Sequence, residues 1–331
     1  MEPTSSSLPV FSPMPVPAIR AAAANDLAAA AEVYQAASRG LFEQRRALNP
    51  WASEDALRID LHAAIAALGT ISRSRPDAVQ IAEHDGVVVG VGAVVIRERH
   101  AHILFLFVAP VWQQRGVGRA LLDELRRVIA AAGSDVITLT ASDDRRAWRR
   151  YLAMGLQPGA PLISMRAPAA DFPTVHSVDG LEASPVSREH LEALNAIDDI
   201  DRLVKGARRS EAIARWISDE GATGAVLKEA ISGLPVGYYL VSRDARHGRI
   251  GPVAAIERQR FPDVLHRALC AAGETDNTHQ LVWQIDLPAA NRDAIEPLIQ
   301  VGFTPWNLLP WFASGTIGQW DRYVFRDEDQ L

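Results

Sequence analysis

One cysteine, Cys270, stands in a chain of 331 residues. That leaves no intrachain disulfide and no zinc cluster built from cysteines, so a packed core must hold the fold and a reducing cytoplasm is the expected setting. Long apolar runs are missing too. Ile103 to Val108 is apolar but has the length of a strand, far short of the roughly 20 residues that span a bilayer. The opening MEPTSSSLPVFSPMPVPA has neither a basic start nor a continuous apolar stretch, which argues against a secretory signal and for a flexible tail over residues 1–16. Nor is there an excess of positive charge: the formal net charge is −6. A general nucleic-acid binder needs a basic stripe to replace phosphate counterions. The expectation is therefore no nucleic-acid partner, no membrane partner and no resident metal.

What remains is an ordinary globular mixture, 48% hydrophobic and 22% charged, in a chain long enough for two domains. Ala18 to Arg20 reads as a short strand, and Asn25-Asp26 as the cap of an Ala-rich helix. A more polar helical stretch follows, including Ser53 to Leu68. Val79 to Ala82 and Val87 to Ile96 read as strands joined by the hairpin turn His84-Asp85-Gly86. Ile103 to Val108 is apolar on both alternating faces, the mark of a central strand. Leu121, Leu122, Leu125, Val128 and Ile129 share one helix face. Val136 to Thr140 is a strand, Arg145 to Met154 a helix closed by Gly155, and Pro161 to Arg166 a last strand.

The second half repeats this order. Strands at Val236 to Ser242 and Arg249 to Ala254 precede a helix at Phe261 to Cys270, a strand at Leu281 to Ile285 and a helix at Asn291 to Val301. Asn291-x-x-Ala294 before Gly302-Phe303 parallels Asp144-x-x-Ala147 before Gly155-Leu156. The pattern is a duplication at domain scale. The expected boundaries are a first domain over 17–166, a linker over 167–180 and a second domain over 181–331.

Between the central strand and the helix that follows lies Gln113-Gln114-Arg115-Gly116-Val117-Gly118-Arg119. The first amides of a helix lack internal partners and sit at the positive end of its dipole, so such a junction suits a pyrophosphate. Glycines at 116 and 118 keep side chains away from the backbone, and Arg115 and Arg119 add charge. A dinucleotide loop would want a third glycine, which is absent here. Gln113, Gly116 and Gly118 fill the pattern Gln/Arg-x-x-Gly-x-Gly/Ala, and residues 106–122 resemble the coenzyme A loop of the GNAT superfamily of N-acetyltransferases. The resemblance covers roughly residues 18–166. The second half resembles the degenerate C-terminal domain of tandem GNAT proteins, through Asp201-Arg202 with Gly206 and Arg208, Gly237-Tyr238-Tyr239, and Ile250-Gly251-Pro252.

The resemblance implies a fold of two tandem α/β domains, each a mixed, mainly antiparallel twisted sheet flanked by helices. It implies acetyl-CoA or another acyl-CoA as co-substrate, bound by residues 113–119 and by the strand end at Phe107 and Val108. It further implies acyl transfer by direct attack of a primary amine, on a small molecule or a peptide, with a homodimer left open. Tyr151, four residues before Gly155, stands where the family's general acid stands; the alternative is an aromatic that only packs. His102 occupies the position of a frequent family glutamate and is the first candidate base, with His100, and Glu83 and a water chain, as alternatives and a plain strand-end histidine facing water as the competing reading. Asp144 replaces a frequent asparagine, which puts a coenzyme contact there in doubt. Asp201, Arg202, Arg208 and Arg209 read as an acceptor-binding cluster or as a solvated helix face. Trp306, Trp311 and Phe312 read as pocket lining or as packing of the last strands. The rival to an enzyme is a protein that binds acyl-CoA without turning it over.

Overall fold

The computed structural model describes residues 17–48, 61–142, 144–174, 178, 180–187, 189–244, 246–276 and 281–326. The expected tail, the start of the Ser53–Leu68 stretch and part of the linker lie outside them.

The first half runs β1 (Ala18–Ala21), α1 (Leu27–Leu48), α2 (Leu61–Ser74), β2 (Val79–His84), β3 (Val87–Arg97), β4 (His100–Val108), α3 (Val117–Ala131), β5 (Val136–Thr140), α4 (Arg145–Ala153), β6 (Gln157–Pro158) and β7 (Leu162–Pro168). The second half runs β8 (Leu181–Pro185), α5 (Leu191–Val204), α6 (Ser210–Asp219), β9 (Thr223–Glu229), β10 (Pro235–Arg243), β11 (His247–Ala255), α7 (Phe261–Thr275), β12 (Val282–Pro288), α8 (Arg292–Gln300), β13 (Thr304–Leu309), β14 (Trp311–Ala313) and β15 (Tyr323–Val324). Two mixed sheets result, in the orders β1-β2-β3-β4-β5-β14-β6 and β13-β7-β12-β11-β10-β9-β8, with β15 on β11. The ladders of β4 with β5 and of β11 with β12 are parallel.

Residue contacts group the described chain into two units, one from 1–93 and 105–128, the other from 94–104 and 129–331. In the first unit, Asp85 (φ 49°) and Gly86 (φ 77°) supply the two left-handed residues of a tight hairpin between β2 and β3. Asp26 stands directly before α1, as the sequence suggests. It closes a 3-10 turn at Ala24–Asp26, accepting the Ala23 amide at 2.7 Å and the Arg20 guanidinium at 2.6 Å. A Cβ on Gly90 of β3 would meet the Leu121 side chain at 2.9 Å, so this glycine lets α3 lie close on the sheet.

The second unit has two apolar layers around its sheet. Phe261, Val264, Leu265 and Leu298 of α7 and α8 pack with Trp283 and Ile285; Ile197, Ile200, Ile213 and Trp216 of α5 and α6 pack with Tyr238, Leu240 and Phe325. The repeat reads through atom by atom. Gly302 (φ 87°) closes α8 as Gly155 (φ 85°) closes α4. The Phe303 amide reaches Leu298 O at 2.9 Å, as the Leu156 amide reaches Tyr151 O at 3.1 Å. A Cβ on Gly237 would strike Val264 of α7 at 2.8 Å, as one on Gly90 would strike Leu121 of α3.

One feature does not follow chain order. The strand expected to close the first domain, β7, extends to Pro168 and pairs with β12 and β13. In return β14, from the far end of the chain, pairs with β5 and β6. A domain boundary at residue 166 therefore cuts through β7.

Candidate active site

Strand β4 ends at Val108, and a 3-10 turn over Pro110–Trp112 reverses the chain. The Ala109 amide is tied to Val89 O at 2.9 Å. Gln113 folds its side chain back, its Nε2 donating to Val108 O at 3.1 Å. Gln114 (φ 63°) and Gly116 (φ 86°) are left-handed, and a Cβ on Gly116 would meet nothing within 4 Å. Backbone shape therefore demands glycine at 116, and the space above it is open. Gly116 O accepts the amides of Arg119 and Ala120, each at 3.0 Å, which makes it the start of α3. Val117 anchors that start in a cluster with Ala82, Val89 and Leu121. Gln114, Arg115, Gly116 and Arg119 are exposed, while Val117 and Gly118 are buried. Arg115 lies over the Trp112 ring, 5.5 Å from its centroid. An exposed turn with an open glycine, a helix start and two surface arginines fits a pyrophosphate. Phe107 and Val108 are half-buried, with the Phe107 ring 4.6 Å from Tyr34.

Tyr151, His102 and Asp144 belong to the second unit. Tyr151 is 7% exposed, and burial pushes its phenol up to about 12. It therefore holds its proton throughout the neutral range, as a general acid must. Asp144 caps α4 through the Arg146 amide at 2.9 Å and pairs with the Arg146 guanidinium. Burial works against the Asp144 charge, but the Arg146 hydrogen bonds outweigh it and hold the carboxyl below its usual range. The carboxylate is occupied by its own helix.

The histidines are not at a wet strand end. His102 is 1% exposed and His100 4%. His102 Nδ1 lies 2.9 Å and His100 Nε2 2.6 Å from the single hydroxyl of Thr138. That hydroxyl carries one proton, so it can donate to at most one ring and at least one ring nitrogen donates to it. The His102 ring stacks on Trp311 at 5.9 Å, and its Nε2 is buried without a hydrogen-bond partner among the described residues. Burial first, then the charges of Lys205 and Arg97, push His100 down to about 3; burial and His100 push His102 well below its ordinary value. Both imidazoles are neutral. The third candidate, Glu83, is paired with Arg20.

The acidic and basic residues expected around 201–209 divide. Arg202 and Arg208 are exposed. Asp201 and Arg209 form a fully buried ion pair at 2.7 Å, to which the Tyr238 hydroxyl donates. Lys205 is buried beside them, its ammonium disfavoured by burial and by Arg209 and Arg97. This network is core, not an open acceptor site. Trp306 lies on the surface with Arg166 stacked 3.7 Å above it, whereas Trp311 and Phe312 are buried. Sequence reasoning missed Thr138, Trp148 and the positions of Trp311 and Phe312. Nothing local to any of them signals a partner more than 30 residues away.

In the second copy the corresponding junction carries Gln259 for Gly116 and a fully buried Phe261 for Gly118. Arg258 there is engaged by Asp293 at 2.7 Å. Leu298, also fully buried, stands for Tyr151.

A duplicated α/β fold in which one copy keeps a glycine turn at a helix start, and the other has filled it, defines a tandem architecture of two related copies. The chain belongs to the GNAT acetyltransferases: the Acetyltransferase (GNAT) family profile matches residues 30–156, and an Acetyltransferase (GNAT) domain profile matches residues 197–312. No curated protein matches its sequence. Among solved structures it is similar over 100% of both chains to a Pyrococcus horikoshii protein described as an acetyltransferase, with 16% identity and a TM-score of 0.69. A GCN5-related N-acetyltransferase from Sphaerobacter thermophilus aligns over 95% of this chain and 97% of its own, with 15% identity and a TM-score of 0.62. A tandem GNAT protein from the clavulanic acid biosynthesis pathway aligns over 90% and 99%, with 17% identity and a TM-score of 0.57.

Proposed function

We propose that this protein transfers an acetyl or other short acyl group from CoA to a primary amine. The observation that carries the reading is the Gly116-capped turn before α3, present in the first copy and filled by side chains in the second. Acetyl-CoA, or a related thioester, supplies the activated acyl group. The amides of residues 114–118, those of Gln113 and Arg119 being engaged by Pro110 O and Gly116 O, and the guanidinium groups of Arg115 and Arg119 hold its phosphates, and the β4 end at Phe107 and Val108 lines its arm. Tyr151 gives its phenolic proton to the sulfur as the C–S bond breaks and the C–N bond forms; solvent then reprotonates it.

None of the three candidate bases stands open: His100 and His102 are sealed, and Glu83 is bound by Arg20. The amine then enters as its free base and loses its second proton to water. Activity should rise with pH toward the acceptor's own pKa, and amines of pKa near 8 should outrun those near 10 at neutral pH. The sealed His102 is also what favours a second reading, a protein that binds acyl-CoA without turnover. CoA release from acetyl-CoA with a panel of spermidine, tyramine, glucosamine, lysine and a dipeptide separates the two. Turnover with at least one amine, cut roughly 100-fold by Tyr151→Phe, supports the enzyme. Tight CoA binding with no release above background supports the binding protein.

A further inference from the structure

Strand β14 comes from the end of the second copy, yet its two aromatics touch both side chains that the sequence marks for catalysis. Side chains alternate along a strand, so Trp311 and Phe312 point to opposite faces. Trp311 stacks on His102. Phe312, 1% exposed, faces α4, where the Tyr151 ring lies 5.7 Å away at 57° and the Trp148 ring 5.5 Å away at 71°. Trp148 and Tyr151 are three positions apart on α4 and so share a face. Trp148 is itself fixed, its Nε1 donating to Ser142 O at 2.6 Å. The strand has no freedom to drift. Phe312 is paired with Leu139 of β5 and Pro158 of β6. The Ala141 amide donates to Pro310 O and the Gly159 amide to Trp311 O, both at 2.8 Å, and Ser314 Oγ accepts the Ile137 amide at 2.8 Å.

We propose that Phe312 is a positioning residue for Tyr151: the second copy, which lacks both loop and phenol, is retained because its β14 holds the first copy's acid in place. This rests on Tyr151 acting as the acid. A tyrosine side chain has several staggered rotamers, and the Phe312 ring packed against the Tyr151 ring limits its freedom to leave the observed one. Misplacing a reacting group by about 1 Å costs on the order of 100-fold in rate, whereas ground-state binding of the coenzyme elsewhere is untouched.

The test is a double-mutant cycle on the full chain with Phe312→Leu, Tyr151→Phe and both together. CoA release is followed with acetyl-CoA and the best amine of the panel, or with water as acceptor, and CoA affinity by calorimetry. Expected are a kcat roughly 10-fold lower in Phe312→Leu, a KM for acetyl-CoA and a CoA affinity within about twofold of the parent, and a double variant no slower than Tyr151→Phe alone. A Phe312→Leu protein with the parent kcat, or effects that multiply in the double variant, would overturn the proposal while leaving Tyr151 as the acid. A Tyr151→Phe protein with the parent kcat would remove the acid itself, and the proposal with it. If Phe312→Leu does not fold, Phe312→Met, unbranched and better able to fill the site, enters the same cycle.

Discussion

His100 and His102 enter the core as neutral imidazoles sharing one threonine hydroxyl, with Lys205 and Arg97 as the charges acting on them and Trp311 across the His102 ring. Their folded-state pKa values lie below the unfolded value near 6.5. A depressed value means that the unfolded chain binds the proton first. The stability is whole above pH 6.5 and declines as pH falls toward 3 for His100. By linkage the loss at pH 5 is about 2 kcal/mol for His100, and His102 adds a loss of the same sign. Urea unfolding of the parent and of His100→Phe/His102→Phe at pH 7 and pH 5 checks this. The parent should lose at least about 2 kcal/mol more than the double variant over that interval, and equal losses would show that the two rings do not titrate on unfolding. The resemblance to the family placed His102 at a catalytic position. Its burial was not legible, because Thr138 lies 36 residues away and Trp311 more than 200.

At the scale of elements, α4 and α8 show how far local sequence reaches. Helix-start residues Asp144 and Asn291, closing glycines 155 and 302, and the loss of the phenol at Leu298 are all written in short stretches; the structure bears out the positions and the closing glycines, but only Asp144 caps its helix with its side chain, while Asn291 Nδ2 donates to Tyr323 O at 3.1 Å. Strand β4, the β2–β3 hairpin and helices α3 and α7 were legible for the same reason: their periodicity and turn residues are local. The exchange of β7 and β14 was not. Both are short strands whose partners are chosen by tertiary packing, and a pattern of alternating residues says nothing about which sheet receives them. Helices α5 and α6 make the same point with charge. Around residues 201–209 the sequence offers a run of charged side chains, but which of them turn inward depends on where Tyr238 arrives from β10. Asp201→Ala should leave Arg209 buried without its counter-charge and cost about 3–5 kcal/mol in urea unfolding. A loss under about 1 kcal/mol would mean that the pair is dispensable to the fold.

Over the whole molecule, the duplication explains why one copy can carry the chemistry. In the first copy, Gly90 lets α3 approach the sheet, Gly116 turns the chain, and open space lies above that turn. In the second copy, Gly237 still lets α7 approach, so the packing rule survives, but Phe261 is built into the core and Pro262 removes an amide at the helix start. Fold and binding function have separated between two copies of one architecture. The most direct measurement is calorimetric titration of the full chain with CoA, repeated on Gly118→Asp with its fold checked by circular dichroism. One CoA per chain, lost altogether in Gly118→Asp, is the predicted result. Two equivalent sites per chain, or an unchanged affinity in a folded Gly118→Asp protein, would contradict the assignment of the coenzyme to residues 113–119.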